Sequence, residues 1–220
     1  MSTLTSAPLS GLISQLFADA EVSSALFAKD MAQFSPEQRT AMVSSESDYV
    51  SLYTKAKDTH LAVSPDTGRL LYLLARGSRA RSIVEFGTSF GISTLHLAAA
   101  LRDNGGGRLI TSEFEPSKVE RARRNIDAGG FTDLVDLRAG DALETLARDL
   151  PERVDLVLLD GAKSLYSKIL ALIEPRLTPG AWVIADNADW NPQYLARMRA
   201  VEGPYMSVPF AGDVEVSMKL

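Results

Sequence analysis

The sequence predicts an α/β fold built on a mostly parallel sheet, and two patterns in the chain carry that prediction. From Arg81 onward, short runs rich in valine, isoleucine and leucine alternate with stretches of helical periodicity. Parallel strands need crossover connections, so this alternation indicates helices on both faces of the sheet. The chain then ends in two strand-like runs around Ala211-Gly212-Asp213, which predict a terminal antiparallel hairpin.

The first 60 residues are predicted to be helical. Apolar residues from Leu9 to Phe17 recur at helical spacing and indicate an amphipathic helix. Ser35 and Gln38 stand at capping-box spacing, so a second helix is expected to begin there. Ser64-Pro65 repeats this start signal before an apolar run, and the helix that follows is expected to end near Gly77.

Seven strands follow from the remaining runs. Five parallel strands are expected at residues 82–86, 108–113, 134–138, 154–160 and 181–186. A helix reaching about residue 200 separates them from the hairpin strands at 205–210 and 214–220. We therefore expect a single domain over 1–220, with a helical N-terminal extension at 1–60 and a core at 61–220.

The composition excludes several classes of protein. The 220-residue chain has a net charge of −5, whereas proteins that bind nucleic acids or anionic membranes usually have a basic face. It contains no cysteine and only two histidines, which argues against disulfides, thiolate catalysis and a histidine-rich zinc site. No run approaches the roughly 18 apolar residues of a membrane span, and no signal peptide is evident. We expect a cytoplasmic protein without nucleic-acid or membrane partners.

A glycine loop, "VEFGTSFGIST", joins the first predicted strand to a helix. Gly87 and Gly91 remove side chains where the backbone must pass close to a ligand. Their spacing is neither the dinucleotide G-x-G-x-x-G nor a phosphate loop, and an ordinary strand-to-helix turn is the alternative. The second strand ends at Glu113, where an acid can accept both hydroxyls of a ribose, although a solvated acid is also possible there. Nicotinamide cofactors and S-adenosylmethionine both contain a ribose, so these features leave the cofactor open.

Polar side chains also follow the fourth and fifth strands. Asp160 ends one, in "VLLDGAKSLY", and Asp186-Asn187 ends the other, in "VIADNADW". If these strands are neighbours, the three side chains converge and offer oxygen donors suited to Mg²⁺, with Mn²⁺ or Ca²⁺ as alternatives. Lys163 would stand over the same point, and a bound divalent ion would lower its pKa and make it a general base.

These motifs, in this order, resemble the cation-dependent, S-adenosylmethionine-dependent O-methyltransferases, the group of the catechol and caffeoyl-coenzyme A enzymes. The resemblance runs from about Leu61 to the C-terminus and includes "HLAVSPDTGRLL", "TSEFEP", "AGDALETL" and "AGDVEVSMKL" besides the motifs above. It implies a Rossmann-like class I methyltransferase fold, a divalent cation, a catechol-like vicinal diol as acceptor, and a homodimer.

The resemblance also assigns roles to individual residues. It implies catalytic roles for Lys163 and Asp160 and a metal-ligand set of Asp160, Asp186 and Asn187. The residues it implies around the cofactor are Val63, Ser64, Glu85, Gly87, Thr88, Gly91, Ser93, Glu113, Asp141, Ala142 and Asp160. The chain departs from the family at Gly161-Ala162 and at residues 188–192, so the acceptor wall is the part least open to transfer.

Two other functions compete with this interpretation. A nicotinamide-dependent oxidoreductase could use a similar sheet, but it would need no Asp/Asp-Asn set. A non-catalytic cofactor-binding protein is the second alternative, and the intact Lys163 argues against it. His60 and His96 are placed outside the site, while Trp190 and Tyr205 could either form an aromatic acceptor wall or pack in the core.

Overall fold

The computed structural model describes residues 2–45 and 49–220, and within them the chain forms a seven-stranded sheet with helices on both faces. The sheet order is β3-β2-β1-β4-β5-β7-β6. The strands are β1 (Ser82–Phe86), β2 (Arg108–Glu113), β3 (Val135–Ala139), β4 (Val154–Leu159), β5 (Leu177–Ala185), β6 (Tyr205–Phe210) and β7 (Val214–Lys219). The predicted fold class, including the terminal antiparallel hairpin β6–β7, is confirmed.

Nine helices lie within the described residues. They are α1 (Leu9–Met31), α2 (Pro36–Ser44), α3 (Tyr49–Lys55), α4 (Pro65–Gly77), α5 (Ile92–Asp103), α6 (Pro116–Ala128), α7 (Ala142–Thr145), α8 (Tyr166–Ile173) and α9 (Pro192–Met198). The predicted start signals are confirmed: Ser35 and Gln38 form a capping box at α2, and Ser64 caps α4 by accepting from the Thr67 amide. Helix α3 lies in the N-terminal stretch expected to be helical, but the sequence did not predict it as a separate helix.

The alternation of side chains along the inner strands divides the core into two layers. Ile83, Leu109 and Leu156 point to the face that α1, α4 and α5 cover. Val84, Ile110 and Val157 point to the opposite face, which α7, α8 and α9 cover. Both faces of the inner strands are therefore buried, which explains why these strands read as nearly continuous apolar runs.

The chain reverses direction across the sheet between β1 and β4. It builds β1, β2 and β3 outward on one side and then returns to place β4 and β5 on the other. In open parallel sheets, such a switch point leaves a crevice at the carboxyl ends of the strands, where ligands bind.

The division into an extension at 1–60 and a core at 61–220 stays a prediction. None of the helices within residues 2–45 and 49–220 is both long and apolar enough to cross a membrane.

Candidate active site

The ends of β1, β4 and β5 lie side by side at one edge of the sheet, and β4 and β5 continue there into aspartates. Phe86 pairs with Leu159, and Leu159 pairs with Ala185, so the next residue of each strand continues the same row. The Asp160 amide donates to the Phe86 carbonyl at 2.8 Å, and the Asp186 amide donates to the Leu159 carbonyl at 3.0 Å. The expected adjacency of the fourth and fifth strands is thus confirmed, and it brings Asp160 beside Asp186.

Close backbone approach explains the glycine at the end of β1. Gly87 has φ +98°, and a Cβ on it would lie 2.7 Å from the Gly161 nitrogen. A Cβ on Gly161 would in turn lie 2.4 Å from the Phe86 ring. Neither position accepts a larger residue without movement of the backbone or of a buried ring, so these two glycines hold the loops after β1 and β4 in contact.

A first cavity of about 270 Å³ opens beside these loops at the ends of β1, β2 and β4. Five of the residues predicted to hold the cofactor line it: Gly87, Glu113, Asp141, Ala142 and Asp160. Tyr49 and Tyr53 of α3 complete the wall on the side away from the sheet. The first cavity therefore joins strand-end loops of the core to a helix from the N-terminal part of the chain.

Backbone amides orient the Glu113 side chain at the C-terminal end of β2. One of its carboxylate oxygens accepts from the Ser89 amide at 2.8 Å, and the other accepts from the Glu115 amide at 3.0 Å. Burial raises the pKa of Glu113, while the two amides and the nearby Lys118 ammonium oppose that rise. The carboxylate is thus oriented in advance, with remaining lone pairs available to a diol.

Glu85 lies deeper, beneath the glycine loop, and is fully buried. Ser93 and Thr94 each donate a hydroxyl hydrogen bond of 2.5 Å to its carboxylate. Burial nevertheless raises the pKa of Glu85 to about 7. Since both oxygens are occupied by α5, the contacts seen in this structure tie α5 to β1.

The remaining predicted cofactor residues do not line the first cavity. Thr88 is buried, with its hydroxyl 2.6 Å from that of Thr111, and it shares a small pocket with Ser93. Gly91 precedes α5 with φ +89°. Val63 is buried, and Ser64 is engaged as the cap of α4. Their predicted roles toward a cofactor stay predictions.

The electrostatics of the site centre on Asp160 and Lys163. The Lys163 ammonium donates to Asp160 Oδ1 at 2.8 Å, and both side chains are nearly inaccessible to solvent. Burial alone would lower the pKa of Lys163, but the Asp160 carboxylate and the neighbouring tyrosines outweigh it and raise the pKa well above its usual range. Burial, followed by the charge of Asp160, raises the pKa of Asp186. The Lys163 ammonium thus pairs with Asp160, and the neighbouring Asp186 forms no ion pair with it.

Asn187, the third predicted metal ligand, directly follows Asp186. It adopts a left-handed backbone with φ +47°, which asparagine tolerates better than most residues. Its amide nitrogen donates to Asp213 Oδ2 at 3.1 Å, which turns Oδ1 away from that carboxylate. Over residues 2–45 and 49–220, no three side chains of the histidine, cysteine, aspartate and glutamate types form a metal-binding group. The predicted set contains only two such residues and an amide.

A second cavity, of about 430 Å³, adjoins the first. Its floor is formed by Asp160, Lys163, Asp186 and Asn187, and its walls come from α1, α2, α3 and the turn Ala188–Trp190. Asp160 and Tyr53 line both cavities, and the Tyr53 hydroxyl donates to the Gly161 carbonyl at 3.4 Å between them. A molecule in either cavity would thus be close to Asp160.

Some residues of the second cavity were not placed there from the sequence. His60 lines it, half-buried, with its ring centroid 4.0 Å from that of Phe90. Arg39 of α2 also lines it. Of the two aromatic candidates for the wall, Trp190 lines the cavity and is 40% exposed, whereas Tyr205 is 3% exposed and donates to Glu174. His96 is a buried residue of α5, in keeping with the expected packed position outside the site.

Residues 84–188 match the family described as "Methyltransferase domain", and they include the ends of β1, β2, β4 and β5 that form the site. The matched segment is a little under half of the 220-residue chain. Curated O-methyltransferases are also similar to this chain. The chain is 37% identical over 130 residues to a catechol O-methyltransferase of Niastella koreensis and 35% identical over 127 residues to one of Mycobacterium tuberculosis.

The two alignments cover 58% of this chain and 58% and 57% of the relatives. The chain therefore matches little more than half the length of these curated proteins. A solved structure extends the likeness: the O-methyltransferase TomG from Streptomyces achromogenes, in complex with SAM, is 29% identical with a TM-score of 0.64. That comparison covers 82% of this chain and 93% of TomG, and so it includes part of the sequence outside residues 84–188.

Proposed function

We propose that this protein is an S-adenosylmethionine-dependent, divalent-metal-dependent O-methyltransferase that acts on a small vicinal diol, such as a catechol-like phenol. The observation that carries the proposal is the junction at Asp160. This residue lines both cavities and sits beside Lys163 and Asp186, at the strand ends of the segment that matches a methyltransferase domain. A methyl donor in one cavity and a hydroxyl acceptor in the other would meet there.

The first cavity fits the methyl donor. Glu113 presents an oriented carboxylate at the end of β2, in the position where an acid accepts the two ribose hydroxyls of a nucleoside cofactor. Asp141 and Ala142 border the same cavity and would contact the adenine. TomG, solved with SAM, supports this donor over a nicotinamide cofactor, as do the O-methyltransferase relatives.

The strand ends fit a divalent cation. Asp160 and Asp186 are adjacent, and Lys163 forms an ion pair with Asp160 alone. Burial and the Asp160 charge raise the pKa of Asp186, and a bound cation would favour its carboxylate form. Together with Asn187, the two aspartates form an all-oxygen donor set, which hard cations such as Mg²⁺ prefer over soft ones. When bound, such a cation supplies positive charge that lowers the pKa of an acceptor hydroxyl and of a neighbouring lysine.

The remaining chemistry falls to residues of the chain. Lys163 Nζ would take the proton from the acceptor hydroxyl, and the resulting oxyanion would attack the methyl carbon of the donor. The new bond is oxygen to carbon, the broken bond is carbon to sulfur, and the sulfonium leaves as a neutral thioether. Tyr53 and Gly161 separate the cavities and would fix how closely the two reactants approach, which is a major source of acceleration in group transfer.

A methylation assay tests this function. The protein is incubated with S-adenosylmethionine and a panel of catechols, flavonoids and coenzyme A esters, with Mg²⁺ or Mn²⁺ and then with excess chelator. We expect methylation of at least one vicinal diol that depends on the added metal. Full activity in excess chelator would contradict the metal requirement, and the absence of product from the whole panel would contradict the acceptor class. The homodimer and the cytoplasmic location stay predictions.

A further inference from the structure

The second cavity has walls of a different character from its floor. Its floor holds the charged residues of the site, whereas side chains from α1, α2 and the turn Ala188–Trp190 supply an apolar wall. The apolar wall consists of Phe27, Ala28, Met31, Val43 and Trp190. Such a cavity suits a flat aromatic molecule whose polar end faces the floor.

Arg39 of α2 is a charged residue that lines the cavity beside this apolar wall. It is half-buried, and its Nε is inaccessible to solvent and has no hydrogen-bond partner. No carboxylate among residues 2–45 and 49–220 forms an ion pair with it. The acid nearest in sequence, Glu37, is fully exposed and accepts from the Ser35 hydroxyl at 2.6 Å. Arg39 acts on Glu37 only through its charge, as the smallest of the influences that lower the pKa of Glu37. A desolvated Nε–H without a hydrogen-bond partner costs free energy, which a bound anion would recover.

The position of Arg39 is fixed from both ends of α2. At its start, the capping box of Ser35 and Gln38 closes the first turn. Just beyond its end, the Ser45 carbonyl accepts from the Ser164 hydroxyl at 3.1 Å, next to Lys163. Helix α2 also contacts the turns Lys163–Leu165 and Ala188–Trp190. Arg39 is therefore held on the same frame as the proposed catalytic lysine.

The charges that line the second cavity point to an anionic ligand. Two cations, Arg39 and Lys163, face two carboxylates, Asp160 and Asp186. A divalent cation on the proposed ligand set would offset the two carboxylates, and Lys163 would act as the general base from its neutral form. The proton that Lys163 takes leaves an oxyanion on the diol, which matches the new ammonium. The charge of Arg39 remains unmatched unless the acceptor carries an anion of its own.

We propose that Arg39 binds a carboxylate on the acceptor, so that the preferred substrates are aromatic vicinal diols with an acidic side arm. This inference rests on the proposed function, since it concerns the acceptor of that reaction. The planar guanidinium matches a carboxylate with two parallel hydrogen bonds. A phosphate would usually be met by several donors, and Arg39 is the one cation beside the apolar wall formed by the described residues. Arg39 thus acts as a specificity-determining residue.

Paired substrates test the inference. The acids are 3,4-dihydroxybenzoate, 3,4-dihydroxyphenylacetate and 3-(3,4-dihydroxyphenyl)propanoate, and the comparison compounds are their methyl esters. We expect the wild type to favour at least one acid over its ester by about 10- to 100-fold in kcat/KM, the range for a hydrogen bond to a charged group. Arg39→Gln should lose this preference by lowering the acid value and leaving the ester value unchanged.

Two further variants keep this test interpretable. Arg39→Lys retains the positive charge but lacks the two parallel N–H donors of the guanidinium. It should keep part of the preference for the acids over their esters. Arg153→Gln, at an exposed arginine outside both cavities, should behave as the wild type. Equal kcat/KM for acids and esters in the wild type, or an equal loss for both in Arg39→Gln, would overturn the inference while the proposed function stands.

A binding measurement separates the inference from the reaction. Benzoate, phenylacetate and 3-phenylpropanoate have the acidic arm without the hydroxyl pair, so calorimetry with Mg²⁺ present reports the arm alone. We expect at least one to bind the wild type and to bind Arg39→Gln at least about tenfold more weakly. If the wild type methylates no diol, the proposed function fails, and this binding difference still reports on Arg39. Equal binding to both proteins contradicts the carboxylate site.

Discussion

The two cavities that meet at Asp160 are built in different ways. The first depends on backbone: strand register, the contact between Gly87 and Gly161, and two main-chain amides that orient Glu113. The second depends on side chains from the N-terminal helices packed over the floor of the site. From this difference we infer that the strand ends hold the reacting groups, while the N-terminal helices determine which acceptor binds. Substitutions at the strand ends should therefore reduce turnover or donor binding, and substitutions in the helices should reduce acceptor binding.

The largest effect is expected at the shared floor. Asp186→Ala should reduce methylation by more than the roughly 10- to 100-fold that loss of an outer-shell metal partner costs, because a proposed ligand itself is removed. Its affinity for S-adenosylmethionine should stay near the wild-type value. Turnover with Mg²⁺ and titration calorimetry measure the two. Asp189→Ala is the matched control, since Asp189 is exposed on the same loop. Wild-type turnover in Asp186→Ala would remove this residue from the metal set.

The backbone origin of the first cavity can be tested with two glycines. Gly87 and Gly106 both have positive φ, but only at Gly87 would a Cβ meet backbone atoms within 3 Å. Gly106→Ala should cost about 1–2 kcal/mol in the free energy of unfolding, the penalty of a left-handed backbone. Gly87→Ala should cost roughly 1–3 kcal/mol more from the steric clash and should weaken binding of S-adenosylmethionine. Denaturant unfolding compares them. Equal costs would contradict the close approach.

Glu85 should make stability depend on pH. Burial raises its pKa from 4.5 to about 7, so between these values the folded protein keeps a proton that the unfolded chain releases. Stability should therefore be highest at low pH within this range and fall as pH rises toward 7, by up to about 3 kcal/mol. Glu85→Gln should lack this component. The difference between the unfolding free energies of the two proteins, measured from pH 4.5 to 8, should follow this curve, and a constant difference would contradict it.

The smallest effect is expected in the acceptor wall. Ser35→Ala removes the cap of α2 and should destabilise that helix by about 1 kcal/mol. Because α2 carries Arg39, the KM of the acceptor should rise, while the affinity for S-adenosylmethionine should not change. Hydrogen exchange of the α2 amides and steady-state kinetics measure the two effects. Faster exchange of the α2 amides with an unchanged acceptor KM would show that the stability of α2 does not affect acceptor binding, which would contradict this prediction.

The parts of the molecule that were predictable from sequence are those set by local pattern and sheet topology. Apolar runs located all seven strands, and six of them within a residue or two at each end. The exception is β5, which begins at Leu177, four residues before the predicted start, because Thr178-Pro179-Gly180 interrupts the apolar run. Polar residues directly after two of those runs, Asp160 and Asp186, were expected to meet, because adjacent parallel strands end at one edge. The position of Glu113 at the end of β2 was predictable in the same way.

The acceptor side could not be predicted in this way. Arg39 and His60 reach the second cavity through the packing of α1, α2 and the segment before α4, and no periodicity in the sequence encodes that packing. Asp213 joins the site because the β6–β7 hairpin returns to Asn187, a contact over 26 residues of sequence. The choice between Trp190 and Tyr205 likewise depended on which of them the fold buries.

The most direct test of the two-cavity account uses one variant, Lys163→Met, with two readouts. S-Adenosylmethionine is titrated into the wild type and the variant by calorimetry, and turnover of a vicinal diol with Mg²⁺ is measured on the same preparations. We expect equal affinity for S-adenosylmethionine and a loss of kcat of roughly 10²- to 10⁴-fold, the usual contribution of a general base. Unchanged turnover, or affinity that falls in parallel with turnover, would contradict the two-cavity account.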